Sequence, residues 1–168
     1  MHKVPFVSQR VYAFPHVSCG VAATMMILKF HFRRKRVPSY RDLRKALGVY
    51  VLLSESGRRR PAGVALDDVT GYLRQQAIHY RATHHNTSTT WTILRRRLRR
   101  APFMVSMGKN DWRWGKSGHW IVLIDINAET VTYLDSQFPR SHQRPSRLPL
   151  RDFRRQWDGV SVQIAHPR

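Results

Sequence analysis

Ser18-Cys19-Gly20-Val21-Ala22-Ala23-Thr24-Met25-Met26-Ile27-Leu28-Lys29-Phe30 is the stretch on which the fold turns. Apolar side chains fall on nearly every face of a 3.6-residue period, so it reads as a helix running through the core rather than along the surface. Ser18 is the expected N-cap, which puts Cys19 in the first turn. The apolar run from Val21 to Leu28 is interrupted by Thr24 and stopped by Lys29, far short of a bilayer span. A helix N-terminus carries partial positive charge and favours the thiolate, the nucleophilic form of cysteine. Gly20 beside it lets a substrate approach the backbone closely. A lone cysteine is most often a small buried hydrophobe, so Cys19 acquires a chemical meaning only if the chain also supplies a base and a group to orient that base.

Working outward, Val4-Pro5-Phe6-Val7-Ser8-Gln9 is extended, because Pro5 pushes its predecessor out of helical geometry. A helix is predicted over 39–47, with Ser39 and Asp42 spaced as in a capping box and Gly48 as the stop. Two more are predicted over 66–76 and 90–100; the latter puts Trp91, Leu94 and Leu98 on one face and arginines around the rest. Strands are expected over 78–83, 102–107, 120–126, 130–134 and 160–164, with a turn at 127–129 and a short helix over 150–157. Arg58 to Pro61 and Pro139 to Pro149 read as mobile loops. Helices first and an antiparallel sheet later make an α+β fold.

The chain has 168 residues and a mass of 19.8 kDa, which suits one domain over 1–168. With 42% hydrophobic residues, wholesale disorder is excluded. One cysteine excludes an internal disulfide framework and a cysteine-rich zinc site. Met1-His2-Lys3 leads into Val4-Pro5-Phe6 with no signal-peptide core. Lys and Arg number 30 against 10 Asp and Glu, a formal charge of +20. That field raises encounter rates with acidic partners, whether nucleic acid, acidic protein or anionic membrane. The charge is clustered at Arg33 to Arg36, Arg58 to Arg60, Arg95 to Arg97 and Arg99-Arg100, but without zinc-finger spacing or an RNP-type motif. Solvated helix faces and helix ends account for such clusters equally well.

The partners Cys19 requires are in the second half. His119 follows Gly118 and opens the strongest strand. The return strand ends at Leu134-Asp135, so in a tight hairpin Asp135 can reach the far nitrogen of the imidazole, fix its tautomer and stabilise the imidazolium. Asp125, inside the strand, is the competing orienter. Gln9, ten positions before Cys19, can bring an amide donor that, with the Cys19 backbone N–H, makes an oxyanion hole. Trp112 and Trp114 either belong to the core or wall the cleft. His16 can contact substrate. His84-His85 point to opposite faces of a strand, which suits a solvated loop better than a metal pair. His79 and His31 read as polar edges of packed elements.

Together, Val4 to Gln9, Cys19-Gly20-Val21-Ala22-Ala23, Gly118-His119-Trp120-Ile121-Val122-Leu123 and Val131-Thr132-Tyr133-Leu134-Asp135 resemble the papain-like cysteine peptidases of the bacteriocin-processing, double-glycine-cleaving type and their stand-alone relatives. The order Gln, Cys, His, Asp is the same, and the order of elements matches from about Val4 to Ile164, with Phe153, Trp157 and Gly159 where that family closes its sheet. The resemblance implies a papain-like fold, Cys19 as nucleophile, His119 as general base and acid, Asp135 as orienter and Gln9 as oxyanion donor. Gly20, Gly118, Trp114 and Trp120 are the expected substrate-contacting residues. There are two departures: Ser136 stands where the family usually has proline after the aspartate, and the interval from Gln9 to Cys19 is longer than is common.

The expected reaction is hydrolysis of a peptide bond in a protein substrate, with cleavage after two glycines as the family's preference and no metal or other cofactor. Size, charge and the absence of a disulfide resemble effector or toxin domains that bacteria secrete into competitors. That setting implies action in a target-cell cytoplasm, an acidic immunity protein as inhibitor and a nucleic-acid-associated protein as possible target. Three rival readings stand beside it. One is a deamidase or acyltransferase on the same Cys–His–Asp site. Another is a basic nucleic-acid-binding module whose cysteine is incidental. The third is an inactive papain-like scaffold that only binds.

Overall fold

The computed structural model describes residues 1–11, 18–32, 37–49, 51–53, 59–61, 63–84, 88–108, 118–138 and 144–165. They form a 3-10 helix at Gln9–Val11, then α1 (Cys19–His31), α2 (Tyr40–Ala46), β1 (Val51–Leu53), β2 (Arg59–Pro61), α3 (Leu66–Gln75), β3 (Tyr80–His84) and α4 (Ser88–Leu98). There follow β4 (Phe103–Met107), β5 (His119–Ile126), β6 (Thr130–Leu134), β7 (Ser146–Pro149), α5 (Leu150–Gln156) and β8 (Trp157–Ile164).

Helix ends follow local chemistry. Ser39 accepts a hydrogen bond from the Asp42 backbone N–H at 3.2 Å, and Gly48, at φ +60°, takes the left-handed turn that closes α2. Asp68 accepts the Ala65 backbone N–H at 2.7 Å and ties down the start of α3. Ser18 precedes α1 as expected, but it makes no side-chain cap to that helix. The β5–β6 hairpin is closed by Asn127, whose Oδ1 accepts the N–H groups of Glu129 and Thr130 at 2.9 and 2.7 Å.

A six-stranded antiparallel sheet runs in the order β3-β8-β4-β5-β6-β7, and β1 and β2 pair separately. The last strand therefore lies inside the sheet, between β3 and β4. Strand alternation sorts the apolar residues onto two faces. Met104, Val122, Ile124, Leu134, Val162 and Ile164 pack against α1 and α3. Phe103, Val105, Met107, Ile121, Leu123 and Tyr133 pack against α4 and α5. The α+β architecture is as expected, with the sheet covered on both faces, because α4 crosses to the side opposite α1. From Cys19 to Leu28 every residue of α1 is buried, which is why its sequence carries no polar stripe.

Three expectations need correction. Arg59–Pro61 is a strand, and so is Ser146–Pro149 within the segment read as loop. Pro149 sits on the edge strand β7 opposite Thr130, where a missing N–H costs no interior ladder bond. Strand β8 begins at Trp157 rather than Val160. The Trp157 indole is fully buried, lies 5.8 Å from the Phe153 ring at an interplanar angle of 17°, and donates to the Val160 carbonyl at 3.0 Å. Truncation of Trp157 to alanine should cost about 3–5 kcal/mol of unfolding free energy, from lost burial and the cavity left behind. Urea denaturation measures it, and a cost below about 1 kcal/mol would contradict the packing described.

Candidate active site

The first residue of α1 and the first residue of β5 meet. The Cys19 thiol and the His119 imidazole act on one another electrostatically, and the backbone of Gly20 and of Trp120 acts on the same sulfur. His119 Nε2 donates to Asp135 Oδ1 at 2.7 Å, which leaves Nδ1 as the nitrogen that faces the sulfur. Asp135 lies just past the end of β6, and the same oxygen accepts the Gln137 N–H at 2.8 Å, so the carboxylate is held from two sides. Cys19, His119 and Asp135 are only 6%, 2% and 4% exposed.

Such burial decides the protonation states. Burial alone pushes the Cys19 thiol up, but the hydrogen bond and positive charge of His119, with the two backbone N–H groups, outweigh it and bring the thiol below its ordinary value. For His119, burial pulls the imidazole down. The hydrogen bonds to Asp135 and Cys19 and the negative charges of both outweigh that and lift it to about 9. Both shifts favour a thiolate–imidazolium pair, and the position of Cys19 at the N-terminus of a 13-residue helix adds to the same preference.

Glycines allow the close approaches around this pair. Gly118, at φ +75°, turns the chain into β5, and a Cβ on Gly108 would sit 2.7 Å from the Gly118 Cα. Gly20 has a different reason from the one expected. A Cβ there would lie 2.5 Å from Val64 Cβ and 3.1 Å from Trp120 Cδ1, so its bare face is filled by packing and is closed to substrate. Trp120 likewise turns its indole into the core, where Nε1 donates to the Val64 carbonyl at 2.8 Å. Its backbone, not its ring, acts on the Cys19 sulfur.

Gln9 is 3% exposed and lies in the 3-10 helix that packs against α1. Its backbone N–H donates to the Ser136 carbonyl at 2.8 Å, and its Oε1 accepts from Ser136 Oγ at 2.6 Å. Asp125 is far more exposed; it accepts the Ile126 N–H at 2.9 Å and lies 3.7 Å from the terminal amine, so it is not the residue that holds His119. Trp112, Trp114, His16 and His85 lie outside the described residues. Among the described residues, no group of three or more His, Cys, Asp or Glu is arranged to hold a metal ion, and no helix is long and apolar enough to cross a membrane. Sequence reasoning missed Val64 and the Trp120 N–H, which carry no residue-type signal. It met Ser136 only as a missing proline.

No protein-family model and no curated protein matches the chain. Solved structures do. A double-glycine motif protease from an AMS/PCAT transporter, in complex with the leader peptide, matches with a TM-score of 0.60 at 18% identity, over 95% of this chain and 89% of that one. The peptidase domain of Streptococcus ComA, a bifunctional ABC transporter of a quorum-sensing pathway, matches with a TM-score of 0.68 at 15% identity, over 99% of this chain and 100% of that one. A C39-like peptidase from Bacillus anthracis gives a TM-score of 0.73 at 13% identity, over 99% and 96%. The chain has the fold of these peptidase domains.

Alkylation of Cys19 by iodoacetamide should already be fast at neutral pH, below the ordinary thiol pKa of 9.0. Replacement of Asp135 by asparagine removes a charge and a hydrogen bond that raise the His119 pKa, so the imidazolium proton should be lost below the present value of about 9. NMR titration of the ring reads this directly, and an unchanged midpoint would contradict the assigned partner. Gly20→Ala should destabilise the fold by about 1–3 kcal/mol through overpacking. Combination with Val64→Gly, which removes the Cβ that the new methyl would meet, should recover part of the loss.

Proposed function

We propose that the chain is a cysteine peptidase that cleaves a protein substrate, with Cys19 as nucleophile, His119 as acid and base, Asp135 as orienter and Gln9 as oxyanion donor. The observation that carries this reading is the buried His119–Asp135 hydrogen bond at 2.7 Å, beside a Cys19 thiol that the same imidazole holds below its ordinary value. The thiolate attacks the scissile carbonyl carbon; a C–S bond forms and the C=O pair moves onto oxygen, where amide donors receive it. Collapse expels the amine, which takes its proton from His119, and leaves a thioester. Water then attacks with His119 accepting its proton, the C–S bond breaks, and the acid leaves. A hydrolase of this kind should lose activity as pH rises through about 9, because the imidazolium that protonates the leaving amine disappears.

The substrate class we favour is a protein cut after two glycines, which the leader-peptide complex of one structural neighbour supports. A narrow approach to the sulfur that passes only residues without side chains is the physical basis of such a preference. With a charge of +20, the setting we propose is that of a delivered effector restrained by an acidic inhibitor, whose association should weaken as salt rises.

Comparison of cell proteomes after expression of the wild type and of Cys19→Ala tests the reaction. New protein termini that depend on Cys19, with glycine on the acyl side, are expected. Uncut targets that gain about one mass unit would instead assign a deamidase, since the same thioester forms from a glutamine side chain with ammonia as leaving group. A thiol that ignores iodoacetamide in a protein that binds nucleic acid tightly and salt-sensitively would overturn the enzymatic reading.

A further inference from the structure

We propose that Ser136 is a positioning residue that sets the orientation of the Gln9 carboxamide, so that Nε2 rather than Oε1 serves the oxyanion site. The proposal rests on the peptidase reading above. A glutamine side chain can present either end of its amide, and only the end that carries hydrogens can stabilise an oxyanion. Ser136 is fully buried, and its Oγ is a hydrogen donor to Gln9 Oε1 at 2.6 Å, a short and well-shielded contact. Reversal of the amide would set its NH2 against that hydroxyl, whose hydrogen would then have to turn away within a buried site.

The backbone reinforces this arrangement. The Gln9 N–H donates to the Ser136 carbonyl at 2.8 Å, and Ser8 Oγ donates to the Phe138 carbonyl at 2.7 Å, so the segment before Cys19 is latched to the turn at 135–138 by three separate bonds. That turn begins with Asp135, which holds His119. Consecutive residues of one short turn therefore fix two different parts of the site: Asp135 fixes the imidazole, and Ser136 fixes the oxyanion donor.

The test separates the thiolate from the oxyanion site. Iodoacetamide alkylation depends on the thiolate–imidazolium pair alone. A peptide aldehyde with a C-terminal Gly-glycinal depends on both, because the sulfur adds reversibly to its carbonyl and the C=O pair moves onto an oxygen that must be stabilised. Ser136→Ala should leave the alkylation rate and its pH profile as in the wild type, while aldehyde affinity falls by about tenfold, as for loss of one well-aligned donor. Gln9→Glu, which keeps an acceptor for Ser136 but has no N–H, should show the larger loss of affinity. Ser136→Ala added to Gln9→Ala should cost nothing further. Equal loss of alkylation and aldehyde binding in Ser136→Ala would overturn the proposal in favour of a general structural role, as would unchanged aldehyde affinity. Slow alkylation of the wild type at neutral pH would instead overturn the peptidase reading itself, so the two failures are told apart.

Discussion

A sulfur and an imidazole held in contact where water hardly reaches them form the constraint around which the molecule is arranged. Neither group would tolerate that place as a lone charge, since a buried ion without a partner costs several kcal/mol (roughly). Together they are tolerated because each is the other's counterion and because fixed dipoles complete the solvation that water no longer gives. The Cys19 sulfur has backbone N–H groups from Gly20 and Trp120 and the positive end of α1. The His119 ring has Asp135. None of these donors must reorganise when charge develops, which is the condition under which hydrogen bonds contribute most to catalysis.

That contact joins positions 100 residues apart along the chain, so it depends on tertiary packing rather than on any local motif. Burial of α1 against Met104, Val122 and Val162 sets the helix axis on the sheet. The position along that axis is fixed at its first turn, where Gly20 lets Val64 and the Trp120 ring close in and the indole is pinned to the Val64 carbonyl. A side chain at position 20 would lift the helix start away from β5 and take the sulfur with it. Placement of the C-terminal strand β8 between β3 and β4 means that this platform is complete only when the whole chain has been used.

The sequence was legible where chemistry is tied to residue type. A cysteine at the head of an apolar helix, a histidine after a glycine at the head of an apolar strand and an aspartate at the end of the return strand could be read before any coordinates. The β5–β6 hairpin was legible for the same reason, through the turn at Asn127. Pairing that is imposed from outside was not. Ser146–Pro149 has neither alternation nor β-branched residues, and it is a strand because β6 offers it an open edge. Gly20 was legible as important but not for its reason: a missing side chain does not say whether ligand or protein fills the space. Ser136 illustrates the same limit, because a buried hydroxyl takes its meaning from the atom it faces.

The scarcity of acid makes the placement of Asp135 informative. Ten carboxylates face thirty lysines and arginines, and several among the described residues serve backbone or hydroxyl groups. Asp68 holds the start of α3, Asp158 accepts from Ser106 Oγ and the Val160 N–H, and Asp125 accepts the Ile126 N–H. On the far side of the sheet from α1, Asp152 of α5 pairs with Arg151 at 3.7 Å and Arg155 at 3.5 Å; Arg154 lies over the Trp91 ring at 4.7 Å, and Arg97 of α4 is pushed down by burial and by its neighbours Arg81 and Arg96. A surplus of positive charge favours a thiolate but works against an imidazolium. At physiological salt its reach is about 8 Å, so the site is shielded from most of it, and what remains is opposed by one carboxylate at hydrogen-bond distance. Asp135 is thus the residue that lets a strongly basic protein keep a positively charged imidazole beside its sulfur.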